Sequence, residues 1–182
     1  RIFLQTVCGS IEDAGYGIDE LSGTRTALFA GAGAADYFEL LKQDSEIEGH
    51  TITGVSQSIL PNRVSYLLGL NGPSEAINTA CSSSLVAIHR AVQSIQSGES
   101  DMAIAGGVNC LLSTTIYVGC AQSGMLSEDG HCKSFSSSAN GYVRSEGVGA
   151  ILMKPLSSAK KDGNHIYAII KASAVNHGGH VN

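Results

Sequence analysis

Asn78-Thr79-Ala80-Cys81-Ser82-Ser83-Ser84-Leu85 opens a helix. Leu85, Ile88, Val92 and Ile95 recur at helical spacing, with Val86, Ala87 and Ala91 between them. Apolar residues run almost all round this segment, which predicts a buried helix. Gly98 stops it, and Asn78 or Thr79 is placed to cap its start by accepting an early N–H. The next stretch, Asp101 to Asn109, reads as a core strand closing on Gly106-Gly107. Cys81 therefore stands where a buried helix begins inside an α/β layer structure. A helix start exposes unpaired N–H groups and a partial positive charge, both of which favour thiolate over thiol. Small neighbours on both sides leave room for a bulky acyl group to reach the sulfur. Cysteines are more often small buried hydrophobes, and Cys8, Cys110, Cys120 and Cys132 take that default reading.

The strand and helix signals elsewhere alternate. Ile2, Phe3, Val7, Ile11 and Ala14 form a helical stripe ending at Gly15. Thr26 to Gly31 reads as a strand, followed by a helix from about Ala34 to Lys42. Ser58 to Leu70 predicts a helix with Leu60, Val64, Leu67 and Leu68 inward and Pro61 in its first turn. Asn71-Gly72-Pro73-Ser74 is a turn, leading through a short extended piece to Cys81. Thr114 to Ser123 predicts a short helix, Ser127 to Gly141 a polar loop, Gly147 to Met153 a strand, Pro155 to Lys161 a helix, and Ile166 to Val175 a long strand. This order implies an α/β fold, with a mostly parallel or mixed sheet covered on both faces and no linker to split off a second domain.

Composition narrows the function classes. The 182 residues carry a net charge of -5 and only 15% charged side chains, with no basic patch for nucleic acid. Between Arg63 and Lys133 the only Arg or Lys is Arg90, so that stretch is expected to be interior or subunit interface. Five Cys without a disulfide-framework spacing fit a reducing, cytoplasmic setting. No apolar run reaches membrane-spanning length. Arg1 in place of an initiating Met, and an end at Asn182 just after a strand-like run, are expected of a piece of something longer.

Competing motifs are weaker. Gly31-Ala32-Gly33-Ala34-Ala35-Asp36 follows a strand and opens a helix, but Asp36 sits where a dinucleotide fingerprint needs its third glycine, so a tight turn is the preferred reading and no cofactor is expected. Cys120, His131 and Cys132 fit no paired zinc-ligand spacing, and no metal is expected. No G-x-S-x-G elbow is present, so Ser82, Ser83 and Ser84 read as helix-start and packing residues. Ser134 to Ser138 reads as a solvated polar loop, and Lys154, Lys160 and Lys161 as a solvated face.

The run from Gly72 to His89 (GPSEAINTACSSSLVAIH) resembles the active-site segment of β-ketoacyl synthase domains, particularly those of modular polyketide synthases. Ala105-Gly106-Gly107-Val108-Asn109 resembles the strand after the nucleophile helix, Gly141 to Ala150 (GYVRSEGVGA) the family's GYVRGEG segment, and Arg1 to Tyr16 its helix ending in Glu-Asp-Ala-Gly-Tyr. The Gly-Pro-Ser-Glu lead-in, Ala87 to Ala91 and Ser173 to Gly179 are similar to synthases served by free-standing acyltransferases (trans-AT). Asn78 stands where Asp is commoner, as does Asn140, and Ser145 replaces a usual Gly.

The resemblance implies a thiolase-like layered fold (αβαβα), of which residues 1–182 are expected to be a partial ketosynthase domain around the nucleophile, lacking the domain start and the C-terminal half. It implies that Cys81 accepts an acyl chain from the phosphopantetheine of an acyl carrier protein, with its own backbone N–H as an oxyanion donor. Decarboxylative condensation with a malonyl-type extender then follows in the intact domain. The family's two downstream histidines, in HGTGT and NxGH motifs, are absent from this sequence, and His89 lies roughly 12 Å along the same helix from Cys81. The fragment alone is therefore expected to be inactive in condensation. Glu146 is read as a carboxylate tying loops together. The resemblance also implies a homodimer, with the piece before Cys81 near the twofold axis. Two alternatives stay open: another thiolase-like acyltransferase, and a ketosynthase-like module that binds an acyl carrier without elongating.

Overall fold

Side chains alternate across a strand, and in β1 (Thr26–Ala32) both faces find a core. Leu28 and Ala30 point to one cluster with Phe3, Val7, Ile11, Val64, Leu68 and Ile104, while Ala27 and Phe29 point to another with Ile77, Ala87, Ala91, Ala103 and Ala105. The computed structural model describes residues 1–33, 36–43 and 48–180. A four-stranded sheet runs in the order β2-β1-β3-β4, where β2 is Ser74–Ile77, β3 Met102–Asn109 and β4 Gly147–Met153. Strand β1 pairs in parallel with β2 and with β3, with Phe29 opposite both Glu75 and Ala105. Helices α1 (Ile2–Asp13) and α4 (Ile59–Leu68) supply the first cluster. Helix α5 (Ser83–Gln96) supplies the second, on the opposite face. Between β1 and α4 lie α2 (Tyr37–Gln43) and α3 (Thr51–Val55); α6 is Thr115–Gln122 and α7 Leu156–Lys161.

Apart from Phe29 and Ile77, the face that meets α5 is made of small residues. Ala27, Ala103 and Ala105 are fully buried there, and the buried stripe of α5 itself is Ser83, Ala87, Ala91 and Ser94. Backbone therefore comes close to backbone. A Cβ on Gly31 would stand 2.8 Å from the Ser84 nitrogen, and one on Gly107 would stand 2.1 Å from Ser84 Oγ. Burying the alanine stripe turns the larger side chains outward or sideways: Leu85 is 72% exposed, contrary to a helix buried all round. In α4 the buried face is Pro61, Val64, Ser65 and Leu68. Leu60 packs at its margin and Leu67, expected inward, is exposed, because it lies on the far flank of that arc. Arg90 anchors α5 to β2: its guanidinium donates to Glu75 (Nη2–Oε1 3.0 Å, Nε–Oε2 3.4 Å) and lies over the Phe29 ring at 5.6 Å.

The strand expected at Ile166–Val175 does not form; residues 164–178 join no ladder among the described residues. An alternating apolar pattern suits a strand, but a strand exists only where a neighbour takes its N–H and C=O groups. Side chains tether this segment instead. Tyr16 OH donates to Asn164 Oδ1 (3.0 Å), Tyr167 OH to Asp13 Oδ1 (3.0 Å), and His89 Nδ1 is 2.9 Å from Ser173 Oγ. The helix expected from Ala34 begins at Tyr37, and Ala34 and Ala35 lie outside the described residues.

Contacts sort the chain into two compact units, one of residues 1–33, 56–108 and 148–182 and the other of residues 34–55 and 109–147. The second is assembled from two distant segments, so no linker composition marks it. The charge-poor stretch is likewise divided: β3 and one side of α5 are buried, whereas α6 has no buried residue.

Gly31→Ala forces a methyl against main-chain atoms that no side-chain rotation can clear. We expect a loss of about 1–3 kcal/mol in urea unfolding. Gly33→Ala, where nothing lies within 4 Å of the added methyl, is expected to change stability by less than about 0.5 kcal/mol.

Candidate functional site

Strand β2 ends at the buried Ile77, and the chain then turns sharply. Ala80 adopts φ +55°, a left-handed conformation that disfavours any residue with a Cβ by roughly 1–2 kcal/mol. A single 3-10 turn, Ala80–Ser82, follows, and α5 proper starts at Ser83. Cys81 thus sits in the turn that feeds the helix, not within its first α-helical turn, and it is exposed. Backbone donors in such a first turn have no partner inside the helix.

Side chains knit this turn together. Asn78 Oδ1 accepts from the Ala80 N–H (3.2 Å) within the turn, while Ser82, four residues after Asn78, flanks α5 without a capping bond, so neither Asn78 nor Thr79 caps the α-helix itself. Thr79 gives its backbone N–H to Ser83 Oγ (2.9 Å), and Ser83 Oγ donates in turn to the Ala80 carbonyl (2.7 Å). Ser82 Oγ donates to the Thr79 carbonyl at 2.9 Å. Among the described residues no side chain hydrogen-bonds the Cys81 sulfur. His89 is engaged with Ser173, and His177 Nδ1 accepts from the Gly179 N–H at 2.9 Å in a local turn.

The second unit holds the segment from Gly141 to Glu146. Glu146 Oε1 accepts from the Leu111 N–H at 2.8 Å, and the Ser145 carbonyl accepts from Asn109 Nδ2 at 2.7 Å, so this carboxylate and its neighbour tie one loop to another. Asn140 Oδ1 accepts from Lys133 Nζ (2.7 Å) and from Ser127 Oγ (3.0 Å), beside a cavity of about 420 Å³ lined by Ala121, Gly124, Leu126, Ser127, Glu128 and Asn140. The run Ser134 to Ser138 is exposed, and Phe135 within it has φ +63°.

The cysteines differ in surroundings. Burial, with Glu12 nearby, pushes the Cys8 thiol up. Cys120 lies 3.5 Å from both Tyr142 OH and Arg144 Nη1; the Tyr142 hydroxyl and then the guanidinium hold its thiol below the ordinary range. Sequence spacing gave no hint of this, since the three residues meet only through the loop. Cys132 Sγ accepts from the Val143 N–H at 3.1 Å. No group of three or more His, Cys, Asp or Glu among the described residues could hold a metal ion, and no helix among them is long and apolar enough to cross a membrane.

Lys133 also donates to Asp129, and with Ser127 it holds that carboxyl down at about 2. A depressed carboxyl stabilises the fold above its unfolded pKa, and that contribution is lost as pH falls through about 2. We expect an NMR titration to place Asp129 near 2, and Lys133→Ala to move it back toward 3.8.

Comparison with known proteins adds a family to this geometry. The family described as Beta-ketoacyl synthase, N-terminal domain, matches residues 1–159. The chain is 50% identical over 180 residues to Polyketide synthase PksN of Bacillus subtilis (strain 168), covering 98% of this chain and 3% of that protein. Polyketide synthase PksM of the same organism is 49% identical over 183 residues, covering 100% of this chain and 4% of that one. Among solved structures, the ketosynthase from module 6 of the bacillaene synthase from Bacillus subtilis 168 superposes with a TM-score of 0.91 at 41% identity, covering 100% of this chain and 31% of the other. The layering is accordingly that of the α/β, thiolase-like ketosynthases.

Proposed function

Since the chain belongs to the β-ketoacyl synthase family through its N-terminal domain, we propose that Cys81 is the acyl-accepting nucleophile of a polyketide-type ketosynthase. The observation that carries this reading is the placement of an exposed cysteine in the turn at the head of α5. The Cys81 sulfur attacks the carbonyl of a thioester borne on the phosphopantetheine of an acyl carrier protein. The carrier thiolate leaves and takes up a proton, and the acyl group stays on sulfur. A thiolate suits both halves of this chemistry, as nucleophile and later as leaving group. The backbone N–H of Cys81 donates to the oxygen that becomes negative in the tetrahedral intermediate.

Condensation in the intact domain then breaks the bond between the α-carbon and the carboxylate of a malonyl-type extender and releases CO2. The resulting carbanion attacks the Cys81 thioester carbonyl, breaking its C–S bond and expelling the Cys81 thiolate. The product is longer by two carbons and carries a β-keto group. The Gly72-Pro73-Ser74-Glu75 lead-in supports placing the parent among synthases fed by free-standing acyltransferases, family membership supports a homodimer, and five cysteines without disulfide-framework spacing support a cytoplasmic setting. A relative that only binds and transfers the acyl group would share the first step and lack the second.

Mass spectrometry of the intact parent protein, incubated with an acyl-pantetheine thioester, tests the assignment. We expect one acyl group on the peptide containing Cys81, none on the Cys120 peptide, and loss of the modification in Cys81→Ala. Acylation that survives Cys81→Ala refutes the assignment.

A further inference from the structure

The turn that presents Cys81 is held in a conformation its own sequence disfavours, and one side chain bridges it. Ala80 has no glycine's freedom, yet it sits at φ +55°. Left alone, such a backbone relaxes toward negative φ and swings the next residue away. Ser83 opposes that relaxation from both ends: its Oγ accepts the Thr79 N–H at 2.9 Å and donates to the Ala80 carbonyl at 2.7 Å. The two bonds flank the Ala80 φ and ψ, so neither can rotate freely while both persist. Ser83 is itself immobile. It is 5% exposed and belongs to the stripe of α5 that lies against the sheet, where a Cβ on Gly31 would come within 3.1 Å of its own Cβ. The rigid helix thereby fixes the strained turn. Neighbouring side chains hold one side of Ala80 at most: Ser84 Oγ faces Gly107, Ser82 Oγ donates to the Thr79 carbonyl and Asn78 Oδ1 takes the Ala80 N–H, whereas Ser83 bonds on both sides.

We propose that Ser83 is a positioning residue for the Cys81 site, clamping Ala80 in its left-handed conformation and so fixing where the sulfur and the Cys81 N–H point. This rests on Cys81 being the acyl-accepting nucleophile. Small misplacements of a reacting group lower rates by on the order of 10- to 100-fold. Ser83→Ala, which keeps the packing and removes both bonds, is expected to lower the maximal rate of acylation by roughly that factor. The thioester concentration giving half-maximal rate should stay within about twofold, because the clamp acts on the turn and not on substrate.

The test is a double-mutant cycle in the intact parent protein, using S83A, A80G and the double variant. Acylation by an acyl-pantetheine thioester is followed by mass spectrometry, and folding is checked by circular dichroism. In the A80G background the left-handed turn carries little strain, so the S83A penalty should shrink to less than about threefold. Should S83A alone fail to fold, recovery of fold and acylation in S83A/A80G gives the same coupling. Equal penalties in the two backgrounds, no penalty for S83A, or a double variant that also fails to fold would each overturn the clamp and make Ser83 a packing residue. C81A, run alongside, separates the two ideas: if it is still acylated, the nucleophile assignment fails, whereas if it is silent and S83A is unaffected, only the clamp fails.

Discussion

Close approach between helix α5 and strands β1 and β3 governs where Cys81 lies. Gly31 and Gly107 carry no Cβ, Ala27, Ala103 and Ala105 carry only a methyl, and the facing stripe of the helix is serine and alanine. Such a seam gains stability from tight dispersion contact between small residues, together with the large side chains of Phe29 and Ile77. It leaves α5 little room to slide or roll. The turn before it, fastened at Asn78, Thr79 and Ser83, inherits that rigidity. An exposed cysteine on such a mount needs little reordering to meet a substrate, which suits the nucleophile role proposed for it.

The same seam explains which parts of the fold were legible. Short apolar runs located β1, β3 and β4, and β1 reads as one such run because it is covered on both faces. Helical periodicity located α1, where Phe3, Val7 and Ile11 are all buried as expected. In α5 it identified the helix but not its buried side. Hydrophobicity ranks leucine above serine, whereas close packing ranks by size, so Ser83 and Ser94 are inside and Leu85 is outside. The Ile166–Val175 segment shows the other limit. Its residues favour a strand, yet pairing is a property of two segments and a single stretch does not contain it.

At the candidate site, the sequence placed Cys81 at a helix entrance, and the structure puts it in the turn just before the helix. The sequence did not reveal the left-handed Ala80, since a residue with a Cβ is not expected there and only the surrounding bonds select it. Nor did it separate Ser83 from Ser82 and Ser84, three identical side chains that point in different directions once the turn is built. The meeting of Cys120 with Tyr142 and Arg144 depends on how a loop folds back, which spacing along the chain does not encode.

The central claim is that the turn at the head of α5 holds an acyl thioester on Cys81 with its oxygen directed at the Cys81 backbone N–H. A crystal structure of the acylated parent protein tests it most directly. The account predicts continuous density from Cys81 Sγ to the acyl carbon, with the carbonyl oxygen about 2.7–3.1 Å from that nitrogen and Ala80 still left-handed. Density on another side chain, or a carbonyl turned away from the turn with Ala80 relaxed to negative φ, would contradict it.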